Sequence, residues 1–262
     1  MDEYLLFDLV VIAGPAAASC FEPTSFRGRW RPAIAAALLV ALPFLAWDLA
    51  VTGRHWWFDT VHTRIWLLWM PLGEWLFFLT VPLACAYTWE MLTGGQDPAP
   101  ARRPGVPWSV AGLLALAATA AWLRGLEYTA FACAALALAI GLDLTTGGRV
   151  IRHRRFVPFA LLVLAFTAVF NGYLTWRPLV LYDPRRQLDV RLGTIPIEDF
   201  VYGMALVIAN VVVFERLRDR MGAPRTARGD TVARRLIRAR LGGYRQQAVS
   251  YTHLTLPTNS RV

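Results

Sequence analysis

The sequence contains no lysine: all 27 of its basic residues are arginine. That absence removes every mechanism that needs a lysine Schiff base, and with it a retinal-binding rhodopsin. Charge of either sign is scarce, at 17% of 262 residues against about 25% in a soluble domain. Cysteine is scarcer still. Cys20, Cys85 and Cys133 each lie inside an apolar run, in no spacing that suggests a disulfide framework or a zinc site, and read as small buried hydrophobes. In place of charge the chain has 56% hydrophobic residues, 11 of its residues Trp, and a mean hydropathy of +0.41. Disorder is excluded by that content, and a polytopic, all-α integral membrane protein is expected.

Apolar runs of roughly 17–25 residues are long enough to cross a bilayer. Seven such runs are found, at about Tyr4–Cys20, Ala33–Val51, Trp66–Leu92, Trp108–Leu123, Tyr128–Leu144, Phe156–Trp176 and Pro196–Phe214. Only Arg124-Gly125-Leu126-Glu127 separates the fourth from the fifth, which suits a tight helical hairpin. The Gly- and Pro-rich stretch from Thr93 to Pro107 reads as a linker. The first run lacks a positively charged leader and is read as a retained span rather than a signal peptide.

Arginine placement sets the expected orientation. With the N-terminus outside, the inner loops hold nine arginines and the outer loops seven, which decides little; ten more between Arg216 and Arg245 put the tail inside. The basic tail is expected to meet anionic lipid rather than nucleic acid. Residues 249–262 read as adaptor-derived sequence and carry no functional weight here.

The third and seventh runs align without gaps 125 residues apart. Pro71-Leu72-Gly73-Glu74-Trp75 falls over Pro196-Ile197-Glu198-Asp199-Phe200, and Trp89-Glu90 over Phe214-Glu215. Both helices are expected to open with Pro at their first position, where the missing N–H costs nothing. The expected organisation is a parallel repeat: three helices in 1–92, a linker and connecting helix in 93–127, three helices in 128–218, then the basic tail 219–248. Under this arrangement Glu74, Glu198 and Asp199 lie at the outer end, joined there by Asp48 and Asn171. Glu90 and Glu215 lie ~24 Å away at 1.5 Å per residue, too far to share a reaction centre. First-turn acids suit a helix dipole, but acids within a membrane are functional by default.

These residues carry a resemblance. Trp47-Asp48, His55-Trp56-Trp57-Phe58, and Pro71 through Phe78 with Val81-Pro82 resemble the first half of the small membrane lycopene cyclases. Asn171-Gly172 with Thr175, Tyr182, and Arg191 through Gly203 are similar to the second half. The resemblance covers about residues 1–218, and Gly193 to Asp199 is its most specific part. It implies a flavin-independent, redox-neutral isomerase that cyclises the acyclic ends of lycopene or a related carotenoid. The family's Pro-x-Glu-Glu/Asp motif maps intact onto Pro196, Glu198 and Asp199. In the first half it maps onto Pro71 and Glu74, with Gly73 where the family commonly has an acid.

The chemistry suits the residues. Cyclisation begins by protonating a terminal C=C, continues by attack of the next double bond on the cation, and ends by loss of a proton from a ring carbon. A neutral carboxyl in a low-dielectric site can donate and a carboxylate can accept. Glu198 and Asp199 are expected to carry these transfers as a coupled pair, with Glu74 assisting. Aromatic faces stabilise a cation without trapping it; Trp56, Trp57, Trp75, Phe77, Phe78, Phe200 and Tyr202 are the candidates, with Asn171 and Asp48 nearby.

No cofactor is expected, since no Gly-x-Gly-x-x-Gly turn occurs. No metal is expected either: Asp183 and Asp189 in an Arg-rich loop make a poor diphosphate site, and His55, His62 and His153 are scattered. The expected partners are a carotenoid held in the inner-membrane bilayer and, as candidates, other carotenoid-pathway enzymes, with no nucleic acid; the oligomeric state is left open. The alternative from another class is a non-catalytic carotenoid-binding or transport protein.

Overall fold

The computed structural model describes residues 2–21, 26–94, 105–147 and 149–222. The chain is mostly helical. Seven α-helices occur among the described residues: α1 (Glu3–Ala18), α2 (Trp30–Val51), α3 (Leu72–Thr93), α4 (Gly105–Leu123), α5 (Glu127–Thr145), α6 (Phe156–Trp176) and α7 (Ile197–Arg220). Five of them, α2, α3, α5, α6 and α7, are long and apolar enough to cross a membrane. α1 falls short of that length at 16 residues, and the apolar stretch of α4 is the shorter Pro107–Leu123. Most of the linker 95–104 and the tail from 223 onward, including 249–262, lie outside the described residues.

Each helix end follows from local chemistry. Asp2 caps α1 by accepting from the N–H groups of Tyr4 and Leu5, and its other oxygen accepts from Arg64 and Ile65. One carboxylate thus starts a helix and ties it to a loop 62 residues away. Gly94, at φ 62, ends α3 in the left-handed conformation that an unbranched backbone tolerates. Between α4 and α5 the chain turns at Gly125, φ 76, and the two helices pack along each other as the expected hairpin.

Among the described residues three two-stranded antiparallel ribbons lie in the loops: β1 (Trp56–Phe58) pairs with β4 (Val180–Tyr182), β2 (Trp66–Leu67) with β3 (Met70–Pro71), and β5 (Arg191–Leu192) with β6 (Ile195–Pro196). The last two are hairpins that deliver the chain into α3 and α7. Pro71 and Pro196 therefore stand one residue earlier than expected: each is the last residue of its ribbon and the cap of the following helix, extended at ψ 144 and ψ 140. With no N–H to give, a proline suits the end of a ladder as well as the start of a helix.

α7 is the central helix, packed against α2, α3, α5 and α6. It runs beside α3 in the same direction, as contacts at three levels require. Asn210 Nδ2 donates to the Pro82 carbonyl at 2.8 Å midway, and Trp89 Nε1 donates to Glu215 at 2.8 Å near the C-terminal ends. There Arg218 bridges Glu90, at 2.7 Å, and Glu215, while Arg29 reaches Glu90 at 3.3 Å. At the opposite, N-terminal ends the acids of both helices line one cavity.

Candidate active site

The cavity has a volume of about 490 Å³ and lies between α1, α3, α6 and α7. Along α3 its lining runs from Glu74 to Thr88, ~21 Å at 1.5 Å per residue. Most of that length is apolar, walled by Val10, Val11, Val81, Val163 and Phe166 among others. The carboxyl groups gather at one end. Glu74, Asp199 and Asp48 line it there with Tyr4, Tyr128, Tyr182, Tyr202 and Asn171.

Asp199 is fixed by three donors from three different elements. Tyr128 on α5 donates to Oδ1 at 2.6 Å, Tyr182 on β4 to Oδ2 at 2.8 Å, and Asn171 on α6 to Oδ2 at 3.1 Å. Glu74 accepts a hydrogen bond from the Tyr4 hydroxyl and lines the same cavity as Asp199. Asp48, near the end of α2, lines the same end of the cavity as Trp56 and keeps its Oδ2 buried without a hydrogen-bond partner.

β1 and β4 close the polar end. Their register sets Trp56 opposite Tyr182, and the Trp56, Tyr128 and Tyr182 rings sit 5.2–6.1 Å apart. Burial and the Asp199 charge push the Tyr182 phenol well above its usual range, so it remains a hydrogen-bond donor. Behind this aromatic wall lies His55, whose Nε2 is 3.0 Å from Glu127 Oε2. Burial first, then the charges of Arg54 and Arg186, push the His55 imidazole down to about 4. Glu127 alone would favour a charged ring, but it is already paired with both arginines.

Of the residues singled out from sequence, Glu74, Asp199, Asp48, Asn171, Trp56, Phe77, Phe78 and Tyr202 line the cavity. Glu198 does not. It is buried beside the site, accepting from Thr129 Oγ1 at 2.6 Å and from the Leu188 N–H at 2.8 Å. Trp57 is 44% exposed, because neighbours in a strand point to opposite faces and Trp56 takes the inner one. Trp75 and Phe200 are partly buried and also miss the cavity, since each directly follows a cavity-facing acid on a helix, where successive residues diverge. Glu90 and Glu215 are held in the arginine cluster at the far ends of α3 and α7.

Sequence reasoning gave no role to Tyr4 and Tyr128, which hold the two carboxyls, nor to Phe7 and Phe170, which meet edge to face at 5.4 Å and also line the cavity. The available signal was a tyrosine at the start of an apolar run. Among the described residues no group of three or more His, Cys, Asp or Glu is arranged to hold a metal ion.

Residues 3–92 and 125–217 match the family model described as lycopene cyclase. The two matched segments leave out the linker and all of α4. No curated protein and no solved structure matches the chain.

Proposed function

This chain belongs to the lycopene cyclase family, and we propose that it cyclises the acyclic ends of lycopene or a related carotenoid by acid-initiated, redox-neutral chemistry. The observation that carries this reading is the cavity: a narrow apolar slot whose one polar end holds Glu74, Asp48 and Asp199 among aromatic rings. A polyene can lie along the slot with its end group against the acids. A neutral carboxyl gives its proton to the terminal C=C, and the next double bond attacks the resulting cation to close the ring. The ring carbon beside the new cation then returns a proton to a carboxylate. One π bond is exchanged for one σ bond and no electron leaves the substrate, so the product is an isomer and no cofactor is called for.

Asp199 is the reacting member in this proposal, because its carboxyl faces the cavity and is oriented by three donors. Glu74 assists from the same cavity. Glu198 backs Asp199 in the acid pair that the resemblance singles out. Trp56, Phe78 and Tyr202 present aromatic faces to the cation.

We further propose that all seven helices cross the inner membrane, with the N-terminus outside and the C-terminus cytoplasmic, as a parallel three-helix repeat joined by α4. The element boundaries support it. α2 and α6, like α3 and α7, end or begin 125 residues apart, as do the two hairpins. Even the positive φ of Leu68 (57) recurs at Gly193 (64). Expression in cells that accumulate lycopene, followed by pigment extraction, tests the activity: cyclic carotenoid is expected, and unchanged lycopene with the protein present would refute it.

A further inference from the structure

The acids of the two halves are held by different partners, and the difference has a steric cause. In the second half Glu198 accepts from Thr129 at 2.6 Å. The residues 125 positions earlier are Gly73 and Tyr4. A Cβ built on Gly73 would lie 2.5 Å from Tyr4 Cγ, 2.6 Å from its Cβ and 2.8 Å from its Cδ2. These atoms belong to the root of the side chain rather than its tip, so the tyrosine cannot swing aside. Tyr4 is 2% exposed. Its ring packs on Phe7 at 5.9 Å and Phe58 at 6.5 Å, and its helix is pinned by the Asp2 cap to Arg64 and Ile65. Its hydroxyl donates to Glu74 Oε2, and its ring lines the cavity.

We propose that Tyr4 is the positioning residue of the first-half carboxyl: its ring fills the space that an acid at position 73 would need, and its hydroxyl aims Glu74 into the cavity. The first half then works as a Tyr–Glu unit where the second half has an acid pair. Large residue and glycine in one half, small residue and glutamate in the other, are two solutions to one packing problem. The hydrogen bond fixes which way Glu74 points, which matters where a misplaced proton donor costs rate. The positioning role rests on the cyclase reading; the exchange of volume does not.

The test uses the full chain, purified and supplied with lycopene in lipid vesicles. Tyr4→Phe keeps the ring and removes the hydroxyl. It is expected to accumulate and stay folded at the assay temperature, to lower kcat roughly tenfold or more with KM unchanged, and to shift the pH–rate profile. Parental kcat and pH profile, or a change confined to KM, would overturn the positioning role. In a second arm, Gly73→Glu alone is expected to accumulate poorly, and Gly73→Glu with Tyr4→Thr to accumulate at the parental level. Full accumulation of the single variant, or no recovery in the double, would overturn the exchange. A parental protein that makes no cyclic product would remove the cyclase reading, while the accumulation arm would still decide whether Tyr4 and Gly73 share one volume.

Discussion

Glu74 and Asp199 are each the third residue of a helix that begins immediately after a proline, and both line the same cavity. Their helices run in the same direction, so equivalent ends meet and the acids face a shared space.

The first prediction grades the acids by their access to that space. Asp199→Asn keeps the shape but loses the transferable proton, so cyclisation should fall by about 10²–10⁴. Glu74→Gln should fall by a similar or smaller factor. Glu198→Gln should cost less than Asp199→Asn, because an amide oxygen can still accept from Thr129 and from the Leu188 N–H. Initial rates on lycopene at equal protein check the order.

The arginine cluster should matter for stability rather than chemistry. Glu90 is fully buried against Arg218 and Arg29, and removing one partner of a buried pair leaves an uncompensated charge worth about 3–5 kcal/mol. Glu90→Gln is expected to lower the unfolding temperature while the protein that remains folded keeps at least about a tenth of its specific activity, well clear of the loss expected for an essential proton donor. Thermal unfolding alongside the rate assay separates the two effects.

His55 should make the fold acid-sensitive. Its imidazole is pushed down to about 4 from the ordinary 6.5, so the folded state favours the neutral ring. That contribution is complete above about pH 6.5 and is lost as pH falls toward 4, where the unfolded chain binds the proton first. The unfolding temperature should therefore drop across that window, and His55→Gln should flatten the drop.

Leu68 carries a left-handed backbone at φ 57 where the second hairpin has Gly193 at φ 64. A non-glycine residue there costs roughly 1–2 kcal/mol. Leu68→Gly is expected to raise the unfolding temperature and Gly193→Ala to lower it, as calorimetry of the two variants would register.

Much of the helix plan was legible because hydrophobic length is written plainly in a sequence. The runs at Phe156–Trp176 and Tyr128–Leu144 reappear as α6 and α5 almost residue for residue. The ribbons were not legible, since strands of two or three residues are too short for an alternating pattern to register. Glu74, Asp199 and Asp48 could be found as acids in apolar surroundings. Asn171 could be found as well, but the tyrosine partners could not: Tyr128 and Tyr182 reach Asp199 from 71 and 17 residues away, through contacts that only the packing of α5 and β4 on α7 creates. Trp57, Trp75 and Phe200 adjoin motif residues, but adjacency in sequence sends neighbouring side chains in different directions.

The most direct test of acid-initiated, redox-neutral cyclisation is mass spectrometry of the carotenoid formed from lycopene in D₂O by the parental chain and by Asp199→Asn. A proton drawn from an exchangeable carboxyl and added to carbon should leave one deuterium in each ring formed by the parent, with almost no labelled ring from the variant. Rings formed without deuterium, labelled rings formed by Asp199→Asn at the parental rate, or lycopene bound but unconverted by the parent would contradict the account.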